Sequence, residues 1–413
     1  MPSPSRIKDK LFYGWVMVVA FLVIGTTIFG TRFSFGIFFK SLESEFSLNR
    51  AATSAVFSVS MVLGCVFAIL GGLASDRYGP RIVLFLMGLL TGLSLLLTSQ
   101  TNSMWQLFIT YSLLLSMGSS AMFVVMMSTV SRWFDKKRGL ALGIASSGAG
   151  LGIMVMAPFA TFLISNFDWR MAFIIIGVIT WLIVFPLSRL LKKDPSEIGA
   201  LPDGLDSFSK DIKNKEESIQ PADFSLLQTL RTKTFWLIAF VWLFLASNMF
   251  LVFTHLVPHV TDIGFSAGEA AAILSLVGGL SVVGRVLMGT VSDRIGRKPT
   301  AIICALLQAG AMVWLTWSQD LWMLYLFALF YGLAYGGIGP SIAALIGDTF
   351  GLRNMGAILG ALDIGFGVGG ALGPAIGGLI FDATNSYFMA FLLGAVVMFI
   401  SALLIAVTRR ETS

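Results

Sequence analysis

Gly72-Leu-Ala-Ser-Asp76-Arg77-Tyr78-Gly79-Pro80-Arg81 is followed, later in the chain, by Gly289-Thr-Val-Ser-Asp293-Arg294-Ile295-Gly296-Arg297-Lys298. Each stretch leaves a long apolar run and is followed at once by another. Two further matches keep nearly the same offset: Phe134 to Gly143 against Phe350 to Gly360, and the Met-Ala-Phe tripeptides ending at Phe173 and Phe391. Three matches at one spacing identify an internal duplication. The fold is therefore two copies of one apolar unit joined in the middle.

The composition says what surrounds those units. Of 413 residues, 56% are hydrophobic and 12% charged, with a mean hydropathy of +0.86. A soluble domain carries about a quarter of its residues as charges, so most of this surface faces hydrocarbon. A spanning helix needs about twenty apolar residues. That window finds runs near 13–39, 51–75, 81–99, 103–130, 137–163 and 168–191, then 232–258, 267–292, 298–318, 321–347, 354–381 and 385–408. The expected fold is all-α: a polytopic membrane protein with twelve transmembrane helices in two pseudo-symmetric six-helix bundles. The expected domains are 1–191, a linker at 192–231, and 232–413. The run after Arg6, Lys8 and Lys10 is too long for a signal peptide and reads as a retained first span.

Charge sets the expected orientation. Most of the 28 basic residues fall on one side: Arg77, Arg81, Arg132, Lys136, Lys137 and Arg138, the 192–231 linker, then Arg294, Arg297, Lys298 and Arg353. The positive-inside rule puts that side, with both termini, in the cytoplasm. Short loops suggest the inner membrane of a microbial cell. The linker, with Pro195, Pro202 and Pro221 and mixed charge, is too polar to order itself. Its end, from Phe224 to Trp236, reads as an amphipathic stretch on the membrane surface. The formal charge of +6 is explained by topology, so no nucleic acid is expected as partner.

The repeated loop resembles the signature of the major facilitator superfamily. Within it, Tyr13-Gly14-Trp15, Arg32 through Phe39, Trp133 through Gly143, Gly284-Arg285 and Leu201-Pro202-Asp203-Gly204 are similar to the monocarboxylate transporter and oxalate/formate antiporter group. The resemblance implies alternating access around a midplane cavity in a secondary transporter working as a monomer in the lipid bilayer. Physically, Gly79 and Gly296 suit a tight turn, and Asp76, Arg77, Arg81, Asp293, Arg294 and Arg297 are the expected cytoplasmic gate, pairing with neighbouring helix ends.

Two arginines fall inside spans, where a cation costs about 2.5–3.5 kcal/mol or more. Arg285 lies roughly 12 Å from the cytoplasmic boundary and Arg32 roughly 10 Å from the other, at 1.5 Å per residue. A guanidinium fork fits a carboxylate and keeps its proton, so a small organic anion is the expected cargo. Asp363 lies at a depth close to that of Arg285. The expectation is a switch in which Arg285 pairs with Asp363 when empty, and an arriving carboxylate takes the arginine and leaves Asp363 to bind a proton. In the family's eukaryotic carriers an Asp precedes the arginine by one turn; here that position is Ser281. Tyr111, Asn248, Tyr331 and Tyr335 offer buried hydroxyl or amide groups for the substrate, and Phe366 an apolar wall. The series Gly356, Gly360, Gly365, Gly369, Gly373 and Gly377 reads as a packing face bent by Pro374.

Other chemistry finds no support. His255 and His259 read as loop-end histidines, and Cys65 and Cys304 lie in apolar runs far apart, without metal spacing. No P-loop or nucleophile set appears, so neither an enzyme nor a cofactor is expected. The expected function is proton-coupled symport of small monocarboxylates of the lactate or pyruvate class. An oxalate/formate-type anion exchanger is the alternative, and a sensor that binds without translocation is a third.

Overall fold

The computed structural model describes residues 12–134, 137–201, 226–350 and 355–408. Among the described residues there are twelve helices long and apolar enough to cross a membrane. We number them α1 (Tyr13–Glu45), α2 (Arg50–Tyr78), α3 (Pro80–Thr98), α4 (Met104–Trp133), α5 (Leu140–Asn166), α6 (Trp169–Leu190) and α7 (Lys233–Asp262). The rest are α8 (Ala267–Ile295), α9 (Arg297–Thr316), α10 (Leu321–Phe350), α11 (Met355–Thr384) and α12 (Phe388–Val407). The chain is a multi-pass helical membrane protein, as its apolar runs predict.

Several helices depart from a simple rod, α1 and α4 among them. α1 runs past the expected end at Phe39 to Glu45, with a break at Ser34, whose hydroxyl donates to the Gly30 carbonyl at 2.7 Å. α4 contains a π-helical segment, Phe108–Leu114, which holds Tyr111. The amphipathic stretch at the linker end is a short helix, Leu226–Leu230, followed by α7; Phe224, like most of the linker, lies outside the described residues.

Odd-numbered helices run in one direction and even-numbered ones in the other, so the bundle has two faces. We call the face where α1 starts and α12 ends the near face, and the opposite one the far face. The duplicated turn lies at the near face, where Gly79 and Gly296 adopt φ of +82° and +97°. Only glycine takes such angles at no steric cost, which explains why both turns carry it.

Small residues set how closely the helices approach. Gly365, Gly369, Gly373 and Gly377, four apart on α11, face Ala239, Leu243, Ser247 and Leu251 of α7. Gly30 on α1 and Gly152 on α5 meet backbone to backbone, so a Cβ on either would strike the other's main chain. Such crossings replace the missing hydrophobic driving force between helices in lipid with close van der Waals packing. Gly30→Val should therefore separate α1 from α5 at a cost of about 1–3 kcal/mol, the usual cost of overpacking. A thermal unfolding scan of the detergent-solubilised protein checks this, and an unshifted transition would contradict it.

The two halves meet along three helix pairs. On α2 and α11, the Ser58 hydroxyl donates to the Ala371 carbonyl at 2.7 Å, and Cys65 lies against Gly367. On α1 and α7, Gly36 packs on the backbone of Phe253, and the Phe33 ring lies tilted against those of Phe250 and Phe253. On α5 and α8, Gly150 packs on Gly278 and Ser281, and Ser275 donates to the Met154 carbonyl. Among the described residues, no hydrogen bond or ion pair joins the halves nearer the near face than Arg285 to Ser146.

Candidate functional site

Arg285 lies on α8 ten residues before its near end, roughly 15 Å deep at 1.5 Å per residue. Its Nη1 donates to the Ser146 carbonyl on α5 at 2.5 Å, and the Tyr335 hydroxyl of α10 faces the same guanidinium. The helix carrying it has to pass close to α5 and α10, and it does so on Gly278, Gly284 and Gly336. Ser281, one turn earlier, is buried and donates to the Gly278 carbonyl at 2.7 Å.

The expected pair between Arg285 and Asp363 is not formed. Among the described residues no carboxylate lies within ion-pair distance of Arg285, and Asp363 instead accepts from the Trp242 indole at 3.4 Å. The reason is lateral. Depth along each helix was matched, but α8 faces α5 and α10 at that level, whereas α11 presents Asp363 toward α7. Phe366 packs its ring beside Trp242 and Phe250, so it lines the same α7–α11 wall.

Arg32 sits across the interface in the first half. Its Nη1 donates to Ser120 Oγ at 3.3 Å, its Nη2 reaches Met61 Sδ at 3.5 Å, and its buried Nε has no partner. It too lacks a carboxylate within ion-pair distance among the described residues. Cys65, one turn along α2 from Met61, lies within electrostatic reach of both Arg32 and Asp363. Tyr111 is buried, with its ring against Phe35 and its hydroxyl within electrostatic reach of Arg32.

Asn248 and Tyr331 form a different group. The Asn248 amide reaches Gln308 at 3.4 Å and the Tyr331 hydroxyl at 3.3 Å, all three side chains fully buried inside the second half. Tyr331 stacks on Tyr335 at 6.5 Å, so this group stands behind the tyrosine that faces Arg285. Asn248 Oδ1 and Gln308 Nε2 keep no partner.

At the near face, Asp76 pairs with Arg132 at 2.6 Å and its carbonyl accepts from Lys193 at 2.6 Å. The acid of the first turn thus ties the ends of α2 and α4 within one half. Arg77 lies over the ring of Tyr78, while Arg81 and Arg294 are exposed. Arg297 donates to Ser292 at 3.2 Å. The side chain of Asp293 lies outside the described residues.

The far face holds what the sequence reading missed. Arg50 begins α2 and forks onto Asp262 at the end of α7, at 2.7 and 3.1 Å. Lys40 joins Asp262 at 2.7 Å, Glu43 accepts from Arg50 at 3.2 Å, and Arg50 donates to the Tyr387 hydroxyl at 2.6 Å. Asp382 of α11 accepts from the backbone amides of Arg50 and Ala51 at 3.0 and 2.8 Å, so one half caps a helix of the other. Carboxylates at a helix N-terminus gain from its exposed amides and dipole. His255 is no loop-end residue: it is fully buried within α7, and its neighbour His259 is also helical. Spans ending in opposite charges (Lys40 and Arg50 against Asp262 and Asp382) were the available signal.

With the far face tied by ion pairs, two cations with no carboxylate in ion-pair distance among the described residues stand at the junction of the halves. Sequence and structure comparisons agree with the twelve-helix fold. Monocarboxylate transporter 12 of Xenopus laevis is 27% identical, covering 96% of this chain and 89% of its own length. The human protein of the same name is 28% identical over 96% and 80%, and monocarboxylate transporter 13 of Rattus norvegicus 26% over 92% and 85%. Among solved structures, a D-xylose–proton symporter superposes with a TM-score of 0.77 at 16% identity, covering 97% of this chain and all of its own. A bacterial homologue of the human lysosomal transporter Spinster, in an inward-facing and unoccupied conformation, gives 0.73 at 16% over 97% and 96%. These are matches in fold. The family model described as Major Facilitator Superfamily matches residues 20–291 and 256–413, and the chain belongs to that superfamily.

Proposed function

We propose that the protein is a proton-coupled carrier of small monocarboxylates of the lactate and pyruvate class, working by alternating access. The observation that carries this reading is the pair of part-buried guanidiniums, Arg32 and Arg285, one from each half, neither with a carboxylate within ion-pair distance among the described residues. A buried cation without a counter-ion is costly, and an organic anion would offset that cost on binding. Arg285 with the Tyr335 hydroxyl offers the fork and a further donor for one carboxylate. The relatives named monocarboxylate transporters support the substrate class.

Asp363 is the proton carrier in this reading. Among the described residues it has one donor, Trp242, and no cation within ion-pair distance, so taking up a proton breaks no ion pair there. With the positive-inside rule, the near face is cytoplasmic, and the tied far face makes this an inward-facing state. Asp76, Arg77, Arg81, Asp293, Arg294 and Arg297 would then tie the near face in the opposite state.

Uptake of labelled lactate into proteoliposomes under an inward proton gradient tests the proposal. Accumulation above equilibrium that an uncoupler abolishes is the expected result. Two arginines without a described carboxylate partner also suit a dicarboxylate, so exchange is the second reading. Uptake that requires oxalate or formate inside, and ignores the pH gradient, would establish exchange and overturn symport.

A further inference from the structure

His255 sits at the centre of the far-face tie, in a network whose hydrogen bonds can be assigned one by one. Its Nε2 lies 2.9 Å from the Pro374 carbonyl of α11. A carbonyl only accepts, so Nε2 carries the proton. Nδ1 lies 3.0 Å from the Tyr387 hydroxyl. With one proton already on Nε2, a neutral ring has to accept there, and Tyr387 has to donate. The Tyr387 oxygen in turn accepts from Arg50 at 2.6 Å. The order runs Arg50 to Tyr387 to His255 to Pro374, crossing from α2 in one half to α7 and α11 in the other. Ser54 of α2 adds a contact to Nε2 at 3.3 Å, and Phe39 of α1 closes the ring edge.

A second proton on His255 has no place in that order. It would aim two donors, imidazolium and guanidinium, at one tyrosine oxygen, and leave the tyrosine proton without its acceptor. It would also place a new cation beside Arg50. The carboxylates nearby are already engaged: Asp262 by Arg50 and Lys40, Glu43 by Arg50, and Asp382 by the amides at the start of α2. The closed far face therefore holds His255 neutral, and opening it removes that restraint.

A route for the proton is built in. A cavity of about 340 Å³ at the far face is lined by His259, Asp262, Gln319, Asn385, Tyr387 and Phe391, among others. His259 is one turn from His255 on the same helix, and its Nε2 has no hydrogen-bond partner. Its ring meets those of Tyr387 and Phe391 edge-on, at 5.8 and 4.9 Å. Tyr387 thus touches the cavity on one side and His255 on the other.

We propose that His255 is a second proton-binding site, which unlocks the far face when it is protonated from the cavity lined by His259 and Tyr387. Acid on that side favours the far-open state, before any substrate binds. The idea rests on the alternating-access reading above, but it concerns the empty protein, so its test uses neither substrate nor transport.

The test is electron–electron distance measurement on the full chain in lipid nanodiscs. Spin labels replace the exposed Gln100 and Gly268, far-face positions on opposite halves, with Cys65 and Cys304 changed to alanine. Acidifying from about pH 8 to about pH 5, the range histidine spans, should lengthen the distance. The far-open to far-closed ratio should rise by up to about tenfold per pH unit, the limit for one proton. His255→Gln keeps one donor and one acceptor but cannot take the charge, and should flatten the response. Tyr387→Phe removes the hydroxyl at the core of the tie and should lengthen the distance already at the higher pH. A pH response unchanged in His255→Gln, or a parent protein that does not respond at all, overturns the proposal.

Discussion

Arg285→Ala should abolish substrate uptake while the protein still folds, reaching the detergent-solubilised state with normal yield and thermal stability. The expected loss follows from the contacts. Among the described residues, Arg285 keeps the Ser146 carbonyl and the Tyr335 hydroxyl as partners, neither of them an anion. Hydrogen bonds to a charged group contribute about 1.5–3 kcal/mol each. Losing two of them to a bound carboxylate weakens binding by about 3 kcal/mol or more, over about 100-fold in affinity. Folding should tolerate the change, because truncation removes a costly part-buried cation that no described carboxylate pairs with. Arg285→Lys separates charge from geometry. It keeps a point charge but not the planar fork, so uptake should recover in part, mainly as a raised KM. Radiolabelled lactate uptake into liposomes, normalised to reconstituted protein, measures both variants. Wild-type uptake in the alanine variant would remove Arg285 from the site and the anion reading with it.

The sequence carried the membrane fold well, and the reason is physical. Backbone groups in lipid have to be satisfied within each segment, so every span announces itself as a long apolar run. The duplicated Asp-Arg turn then set the count at two units. Depth was legible too, because a helix rises a fixed distance per residue. Azimuth was not. Arg285 and Asp363 lie at similar depths, yet they face different neighbours, since the direction of each side chain depends on how α8 and α11 are rotated in the bundle. The same limit hid the cluster of Asn248, Gln308 and Tyr331, which points into the second half rather than across the junction.

The far face was missed for another reason. Arg50, Lys40, Asp262 and Asp382 lie at span ends, where charge is ordinary and its pairing across 212 positions between Arg50 and Asp262 leaves no local pattern. His255 was misread because it lies near the end expected for its span; α7 extends to Asp262, which places it inside the helix. For the ion pairs the information lies in how the two halves dock, which no single apolar run contains.

Asp363→Asn should separate binding from coupling. The acid lies beside Trp242 at the junction of the halves, with no cation to hold it ionised among the described residues. An amide in its place keeps the acceptor oxygen for the indole and the shape of the wall shared with Phe366 and Phe250. What it loses is the ability to change charge. A carrier whose cargo is an anion and whose coupling ion is a proton moves no net charge per cycle; without the proton, each turnover carries one negative charge. A membrane potential, negative inside, opposes that inward movement by about 2.3 kcal/mol per 100 mV. The variant should therefore exchange labelled for unlabelled lactate across the liposome membrane at near wild-type rates, since exchange needs no net proton movement. Accumulation driven by a pH gradient should vanish, and net uptake should become sensitive to valinomycin-imposed potentials that leave the parent protein unaffected. If the asparagine variant still concentrates lactate against its gradient in response to pH, the coupling proton rides on another group, and His255 at the far face becomes the first residue to substitute next.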